Sequence, residues 1–230
     1  MPVEGPLPSG HDAFGLIETF KWSPTAGYDH LDQHLARLRS SAVLLGFAYR
    51  REAVEGALTA FAAELGDAPA RVRLVLSSSG SAEVAATPLG CPATAYRVAV
   101  AGTRHSSGDP WLRHKTTRRD RYERPLAAAV ATGADEVLFL NERDELCEGA
   151  RCNVFVRRGA MLLTPPLACG VLPGTLRASL IATGGAQEAL LGLPDLDAAP
   201  AWFMGNSVRG LVPATLALPV SGIRPLPVTP

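Results

Sequence analysis

Along the first third of the chain the apolar pattern changes period twice. Residues 16–22 read as a strand, and over residues 28–47 Leu31, Leu35, Leu38, Ala42 and Leu45 recur at alternating four- and three-residue steps, which places them on one stripe of a helix. A second helix is predicted over residues 51–65, with Val54, Leu58, Phe61, Ala62 and Leu65 inward and Gly66 closing it. The period then drops to two. Val72, Leu74 and Leu76 alternate with Arg71, Arg73 and Val75, and residues 96–102 repeat the habit with Val98 and Val100. Two helices and these strands make one small α/β unit.

Residues 103–110, rich in Ser and Gly with Asp109-Pro110, have turn composition. The boundary is expected there, giving a small α/β domain over residues 1–104 and a larger one over 105–230. In the second half a helix is predicted over residues 118–131 despite Pro125, and strands over 136–141, 153–157 and 161–163. A further helix should begin after Pro173-Gly174 and run over 174–183, with a short one at 195–199. This density of short strands implies a compact, barrel-like half. No internal repeat or low-complexity tract interrupts it.

Composition narrows the role. The chain has 230 residues, 47% of them hydrophobic, enough for a packed core. Lys plus Arg and Asp plus Glu both total 22, so no global field favours nucleic acid, an anionic membrane or an acidic substrate. Cys91, Cys147, Cys152 and Cys169 form no Cys-x-x-Cys unit and have no histidine at zinc-ligand spacing, so they read as reduced thiols rather than metal ligands. The N-terminus lacks the basic start and apolar core of a signal peptide, and no apolar run has membrane-spanning length. A soluble cytoplasmic protein is expected.

Familiar catalytic motifs fail. VLPGTLR lacks the Gly-Lys-Ser/Thr of a phosphate loop, and no Gly-x-Gly-x-x-Gly follows a predicted strand. There is no His-Glu-x-x-His and no Gly-x-Ser-x-Gly. What remains is an ordered set: GLIETFKW, HLARLRSSAVLLGF, RHKTTRRDRYERPLAAA, DEVLFLNERDELCEGARCNVFV, TPPLACGVLPGTLRASL and FMGNSVRG. In order and spacing this set, over residues 14–214, resembles the class IV aminotransferase family, the fold-type IV pyridoxal-phosphate enzymes. The pair HKTT and NSVRG is most similar to the aminodeoxychorismate lyases within it. The resemblance implies a two-domain α/β (α+β) architecture with pyridoxal 5'-phosphate between a small N-terminal domain and a pseudo-barrel, usually as a homodimer whose partner lines the substrate pocket.

The resemblance also implies roles, each beside a plainer reading. Lys115 lies among Arg113, Arg118, Arg119 and Arg121 and by itself reads as part of a solvated basic helix start. In the family it attaches the cofactor as a Schiff base, and neighbouring cations with partial desolvation would lower its pKa as that chemistry requires. Glu148, otherwise a turn glutamate, matches the carboxylate that pairs with the protonated pyridine nitrogen, without which the ring is a poor electron sink. Arg37, otherwise a solvent-facing helix residue, matches the guanidinium on the phosphate. The Pro-Gly turn at 173–174 reads as an ordinary helix start, which is also how an anion site is built; the family uses the N–H groups matching Thr175 and Leu176, and Ser207 matches a further phosphate contact. Tyr122 follows Lys115 by a wider interval than the tyrosine that many family transaminases set near the cofactor's phenolic oxygen, and reads equally as a core or interface residue. Arg209 and Arg104 are candidates for a substrate carboxylate or solvated loop charges.

The expected reaction is conversion of 4-amino-4-deoxychorismate to 4-aminobenzoate and pyruvate, with Lys115 as the proton carrier. Family transaminases generally carry Gly-Thr where this chain has Asn206-Ser207, which favours the lyase over a branched-chain or D-amino-acid transaminase. A non-enzymatic polyanion-binding module is the third reading; Asp120 and Glu123 interrupt the basic run on which it rests.

Overall fold

A computed structural model of the chain describes residues 14–217. The N-terminal segment on which the signal-peptide reading rests lies outside them. The first sheet contains four strands in the order β2-β1-β3-β4: β1 (Leu16–Ser23), β2 (Gly27–Tyr28), β3 (Ala70–Leu76) and β4 (Ala82–Pro88). β3 keeps the alternation expected of it, with Ala70, Val72, Leu74 and Leu76 buried and Arg71 and Arg73 exposed on the opposite face. Helices α1 (Leu31–Leu45) and α2 (Arg51–Ala62) cover the apolar face, packing Leu35, Leu38, Ala42, Val54 and Leu58 against Leu16, Phe20 and Trp22.

α1 starts three residues later than its apolar stripe alone predicts because Tyr28 is used in β2. It ends at Gly46, whose φ of 71° is left-handed backbone that glycine adopts without a Cβ penalty. α2 stops short of Gly66: Glu64 and Leu65 donate to Phe61 and Ala62 in three-residue turns, which tighten the end of the helix.

The second sheet has eight strands in the order β10-β9-β8-β11-β12-β5-β6-β7. These are β5 (Tyr96–His105), β6 (Glu136–Asn141), β7 (Leu146–Gly149), β8 (Asn153–Arg158), β9 (Met161–Thr164), β10 (Ala186–Glu188), β11 (Trp202–Asn206) and β12 (Gly210–Leu216). A pairing of Glu148 with Asn153 joins β7 back to β8 and closes the sheet on itself. Its interior holds Val98, Leu138, Leu140, Val154, Val156, Trp202 and Met204. Helix α3 (Asp120–Ala131) runs through Pro125 and contributes to a second apolar layer around Phe139, while α4 (Thr175–Ala182) and α5 (Leu193–Ala198) complete the fold.

One assignment changes. β5 pairs with β12 and β6, so it belongs to the closed sheet and not to the first α/β unit. The chain passes between sheets in the segment between β4 and β5, upstream of residues 103–110. The turn composition there marks the loop that leaves β5, because strand alternation at 96–102 shows a half-buried strand without showing which sheet receives it.

Candidate active site

The segment after β5 returns to the first sheet. Ile17 N–H donates to the Lys115 carbonyl at 2.8 Å and Thr117 N–H to the Gly15 carbonyl at 2.9 Å, so residues 115–117 lie along the start of β1. A Cβ on Gly15 would stand 2.5 Å from a Val75 methyl carbon of β3, so the close packing of the chain onto β3 at this point favours glycine. Lys115 is thereby set between the sheets, on a cavity of about 520 Å³. Thr19, Arg71, Arg73 and Thr87 face it from the first sheet, Glu148, Asn153 and Asn206 from the second, and Ser207 from the turn between β11 and β12.

Lys115 is half-buried, but its amine is enclosed deeply enough that loss of hydration lowers its pKa. The charges of Arg119 and Arg37 push the same way, Glu18 and Glu148 oppose, and the result is about 7. The basic cluster around Lys115 is thus divided: Arg119 faces the site, Arg121 pairs with Asp109 and Arg118 stacks over Phe14 and Trp111.

Glu148 is 4% exposed. Burial pushes its carboxyl up to about 7 against the Leu172 N–H (3.0 Å), the Tyr122 hydroxyl (3.0 Å) and the Lys115 and Arg119 charges. Tyr122, with its own pKa raised by burial and then by Glu148, stays a hydroxyl donor to that carboxylate and packs edge-on against the stacked rings of His105 and Phe139. Asn153 donates to Glu148 at 3.5 Å and to the Leu172 carbonyl at 3.2 Å. Its amide oxygen would be 1.9 Å from a Cβ on Gly174, so the turn into α4 closes onto it only with glycine.

At the other end of the cavity α4 begins, with Gly174 as its N-cap. The first N–H groups of a helix have no intrahelical acceptor and attract anions. Around them stand Arg37 and Ser207. Arg37 donates from Nε and Nη2 to Glu18 at 2.9 and 2.5 Å and from Nη1 to the Pro173 carbonyl at 3.0 Å. Burial raises Glu18, but the Arg37 charge and the hydrogen bonds from His34 and Arg37 outweigh it and hold the carboxyl at about 2. His34 Nδ1 is 2.5 Å from Glu18, and its Nε2 is 3.1 Å from the Ser207 hydroxyl and 3.3 Å from that of Thr175.

Of the residues singled out in the sequence, Lys115, Glu148, Arg37, Thr175, Ser207, Tyr122 and Arg209 all line this cavity or reach into it, and Leu176 follows Thr175 at the helix start. Arg104 does not: it is held in an exposed ion pair with Asp144 at 2.9 Å. Glu18 and His34 were missed. Their signal was present, since Glu18 shares the inward parity of Leu16, Phe20 and Trp22, and His34 stands on the α1 stripe between Leu31 and Leu38.

Residues 15–217 match the family model for amino-transferase class IV. The chain belongs to this family. A solved structure from Mesorhizobium loti, described as a "putative amino-acid aminotransferase", is 43% identical with a TM-score of 0.84, over 89% of this chain and all of that one (100%). A Schizosaccharomyces pombe protein named "putative aminodeoxychorismate lyase" is 30% identical over 172 residues, 73% of this chain and 74% of its own length. The branched-chain aminotransferase of Thermoproteus uzoniensis is 27% identical with a TM-score of 0.75, over 87% of this chain and 77% of its own.

Class IV aminotransferases are pyridoxal-phosphate enzymes, and so is this chain. Its residues fit the cofactor on chemical grounds. A buried carboxylate raised to about 7 calls for a cation facing it, a lysine lowered to about 7 is a nucleophile at neutral pH, and a forked guanidinium beside a helix start suits a phosphate dianion. Among the described residues no group of three or more His, Cys, Asp or Glu is arranged to hold a metal ion, and no helix is long and apolar enough to cross a membrane.

Proposed function

We propose that this chain is a 4-amino-4-deoxychorismate lyase, releasing 4-aminobenzoate and pyruvate. Lys115 carries the cofactor, Glu148 faces its ring nitrogen, and Arg37, the N–H groups of Thr175 and Leu176 and the Ser207 hydroxyl hold its phosphate. When bound, pyridoxal phosphate supplies an electron sink for the charge left as a proton departs from the carbon bearing the substrate amine. Lys115, largely able to reach its uncharged form near neutral pH, takes that proton and returns one as pyruvate leaves. Glu148, kept in contact with Tyr122 and Leu172, keeps a proton on the nitrogen opposite it. Formation of the aromatic ring makes the release downhill.

The observation that carries the lyase reading is the crowding of Arg71, Arg73 and Arg119 on one side of the cavity. Loss of hydration lowers the pKa of Arg73, and repulsion from Arg119 and Arg71 lowers it further against Glu123. Like charges held together in this way are relieved by an anionic ligand. The proposed substrate has two carboxylates, one on the ring and one on its enolpyruvyl arm; a branched-chain amino acid has one. The lyase-named relative at 30% identity supports the same choice.

A second reading, amino transfer from a branched-chain or D-amino acid to a 2-oxo acid, draws on the 43% identity to the protein described as an amino-acid aminotransferase. One assay separates them. Appearance of 4-aminobenzoate and pyruvate from 4-amino-4-deoxychorismate with no 2-oxo acid added is the expected result; turnover only of amino acids, and only with an acceptor, refutes the lyase. The reading includes a homodimer, which sedimentation equilibrium checks as twice the chain mass.

A further inference from the structure

His34 is 1% exposed, lies against the Phe20 ring at 4.5 Å, and bridges three elements. Its Nδ1 meets Glu18 on β1, and its Nε2 meets Thr175 at the start of α4 and Ser207 in the β11–β12 turn. The charged and titratable groups facing it are Glu18 from β1 and Arg37 and His30 from its own helix. From α4 and the β11–β12 turn the facing groups are the two hydroxyls, and the Thr19 carbonyl lies 3.4 Å from the Ser207 oxygen.

Charge and hydrogen count together define two states. Glu18 is ionised and Arg37 cationic, so their charges cancel, and burial, outweighing Glu18, keeps His34 neutral. An ionised carboxylate accepts only, so the single ring hydrogen sits on Nδ1 and Nε2 becomes an acceptor. Its single lone pair is shared between the Ser207 hydroxyl at 3.1 Å and the Thr175 hydroxyl at 3.3 Å, and a hydrogen turned towards it is turned away from the cavity. A phosphate dianion on the same hydroxyls has no hydrogen to offer and needs theirs, and it brings two negative charges close to the imidazole. Both demands are met if Nε2 also carries a hydrogen: the ring then donates to the hydroxyl oxygens, and their hydrogens turn to the phosphate.

We propose that His34 is a proton-linked positioning residue of the phosphate cup, taking one proton from solvent when a phosphate dianion binds and redirecting the Ser207 and Thr175 hydroxyls onto it. The inference rests on the assignment of that cup to the cofactor phosphate. It requires affinity for a dianion to fall by up to about tenfold per pH unit between the pKa of the free and of the liganded imidazole, and to level off on either side.

The test is nuclear magnetic resonance of the imidazole nitrogens in full-length protein carrying ¹⁵N-histidine, at about pH 7 where histidine is poised to titrate. His34 is assigned through its own backbone, so the readout needs no variant to fold. Spectra are compared without ligand, with sulfate, a dianion that binds no proton at this pH, and with pyridoxal phosphate. The expected pattern is one protonated ring nitrogen without ligand and two with either. A ring that keeps a single hydrogen while sulfate and cofactor are bound overturns the proposal and leaves the cup assignment standing. Failure of both ligands to bind overturns the cup and the proposal together. Calorimetry in buffers of different ionisation heat adds a second reading: His34→Gln should take up about one proton fewer per sulfate than the parent, and an equal count also overturns the proposal, because it places the uptake on Lys115 or Glu148.

Discussion

The two ends of the cavity handle positive charge in opposite ways. At the α4 end, Arg37 is forked onto Glu18 and tied to the Pro173 carbonyl, and Glu18 is tied in turn to His34, so the guanidinium is fixed by the chain itself. On the first-sheet side, Arg71 and Arg73 stand beside Arg119, and what Arg73 feels most after loss of hydration is repulsion. A resident group is best held by donors already locked in place, whereas a passing anion gains most from cations whose counter-charge is solvent-exposed, as Glu123 is for Arg119 at 3.4 Å. Under the proposed function the contrast separates residues that would hold the cofactor from residues that would select the substrate.

The largest effect is expected between the two ends. Under the proposed function Lys115→Ala removes both the attachment point and the proton carrier, and should lower kcat by at least about 10³-fold while thermal stability changes little. Absorbance spectra with and without borohydride check the attachment: the parent should become covalently labelled and the variant should not. Labelling that persists in the variant would move the attachment to another lysine, of which the only other one is Lys21, on β1 and outside the cavity lining.

Breaking the fixed end costs stability as well as binding. Glu18→Ala leaves Arg37 with no carboxylate in a site where the pair is almost fully buried, a loss of about 3–5 kcal/mol, read from the urea midpoint. The pH dependence has a definite sign. Glu18 is lowered from its ordinary 4.5 to about 2, so its contribution is present above about pH 4.5 and is lost as pH falls towards 2. Glu18→Gln should therefore flatten that part of the acid limb, and an acid limb identical to the parent's would show that the ion pair does not stabilise the fold.

The open end should respond in KM instead. Arg73→Ala removes a charged donor from the substrate side and is expected to raise KM for a two-carboxylate substrate about 10- to 100-fold, with cofactor absorbance and affinity unchanged. The same substitution should have far less effect on a branched-chain amino acid, if any turnover of one is found. Equal losses on both substrates, or loss of the cofactor, would erase the distinction between the ends.

How much of this was legible beforehand follows the same division. The apolar stripe of α1 and the alternation of β3 are local signals, and both elements formed where those signals lay. The roles proposed for Lys115, Glu148 and Arg37 came through an ordered resemblance that periodicity could not supply, whereas the start of α4 was legible in Pro173-Gly174 itself. Glu18 was overlooked because a carboxylate inside an apolar strand is resolved only by its partners, and those come from α1, 16 and 19 positions away. The sheet that receives β5 was equally invisible, since β12, its parallel neighbour, lies more than a hundred residues downstream and such pairing leaves no local trace. β10, with three residues, was too short to show a period at all.

The smallest effect is expected where sequence and structure disagree. Arg104 and Arg209 were equal candidates for a substrate carboxylate, and both are exposed. Arg209 borders the cavity, with its backbone N–H capped by Asn206 and its guanidinium on the Cys91 carbonyl at 3.0 Å. Arg104 is engaged with Asp144, outside the cavity lining, in the kind of solvent-screened pair that contributes about 0–1 kcal/mol. Arg209→Ala should raise KM by a few-fold, since turning that side chain into the cavity means giving up only one exposed carbonyl contact. Arg104→Ala should leave kcat and KM within assay error and stability within about 0.5 kcal/mol. A KM increase for Arg104→Ala larger than that for Arg209→Ala would mean that the substrate reaches beyond the cavity described here to the loop between β6 and β7, and the open end would then have to be redrawn to include it.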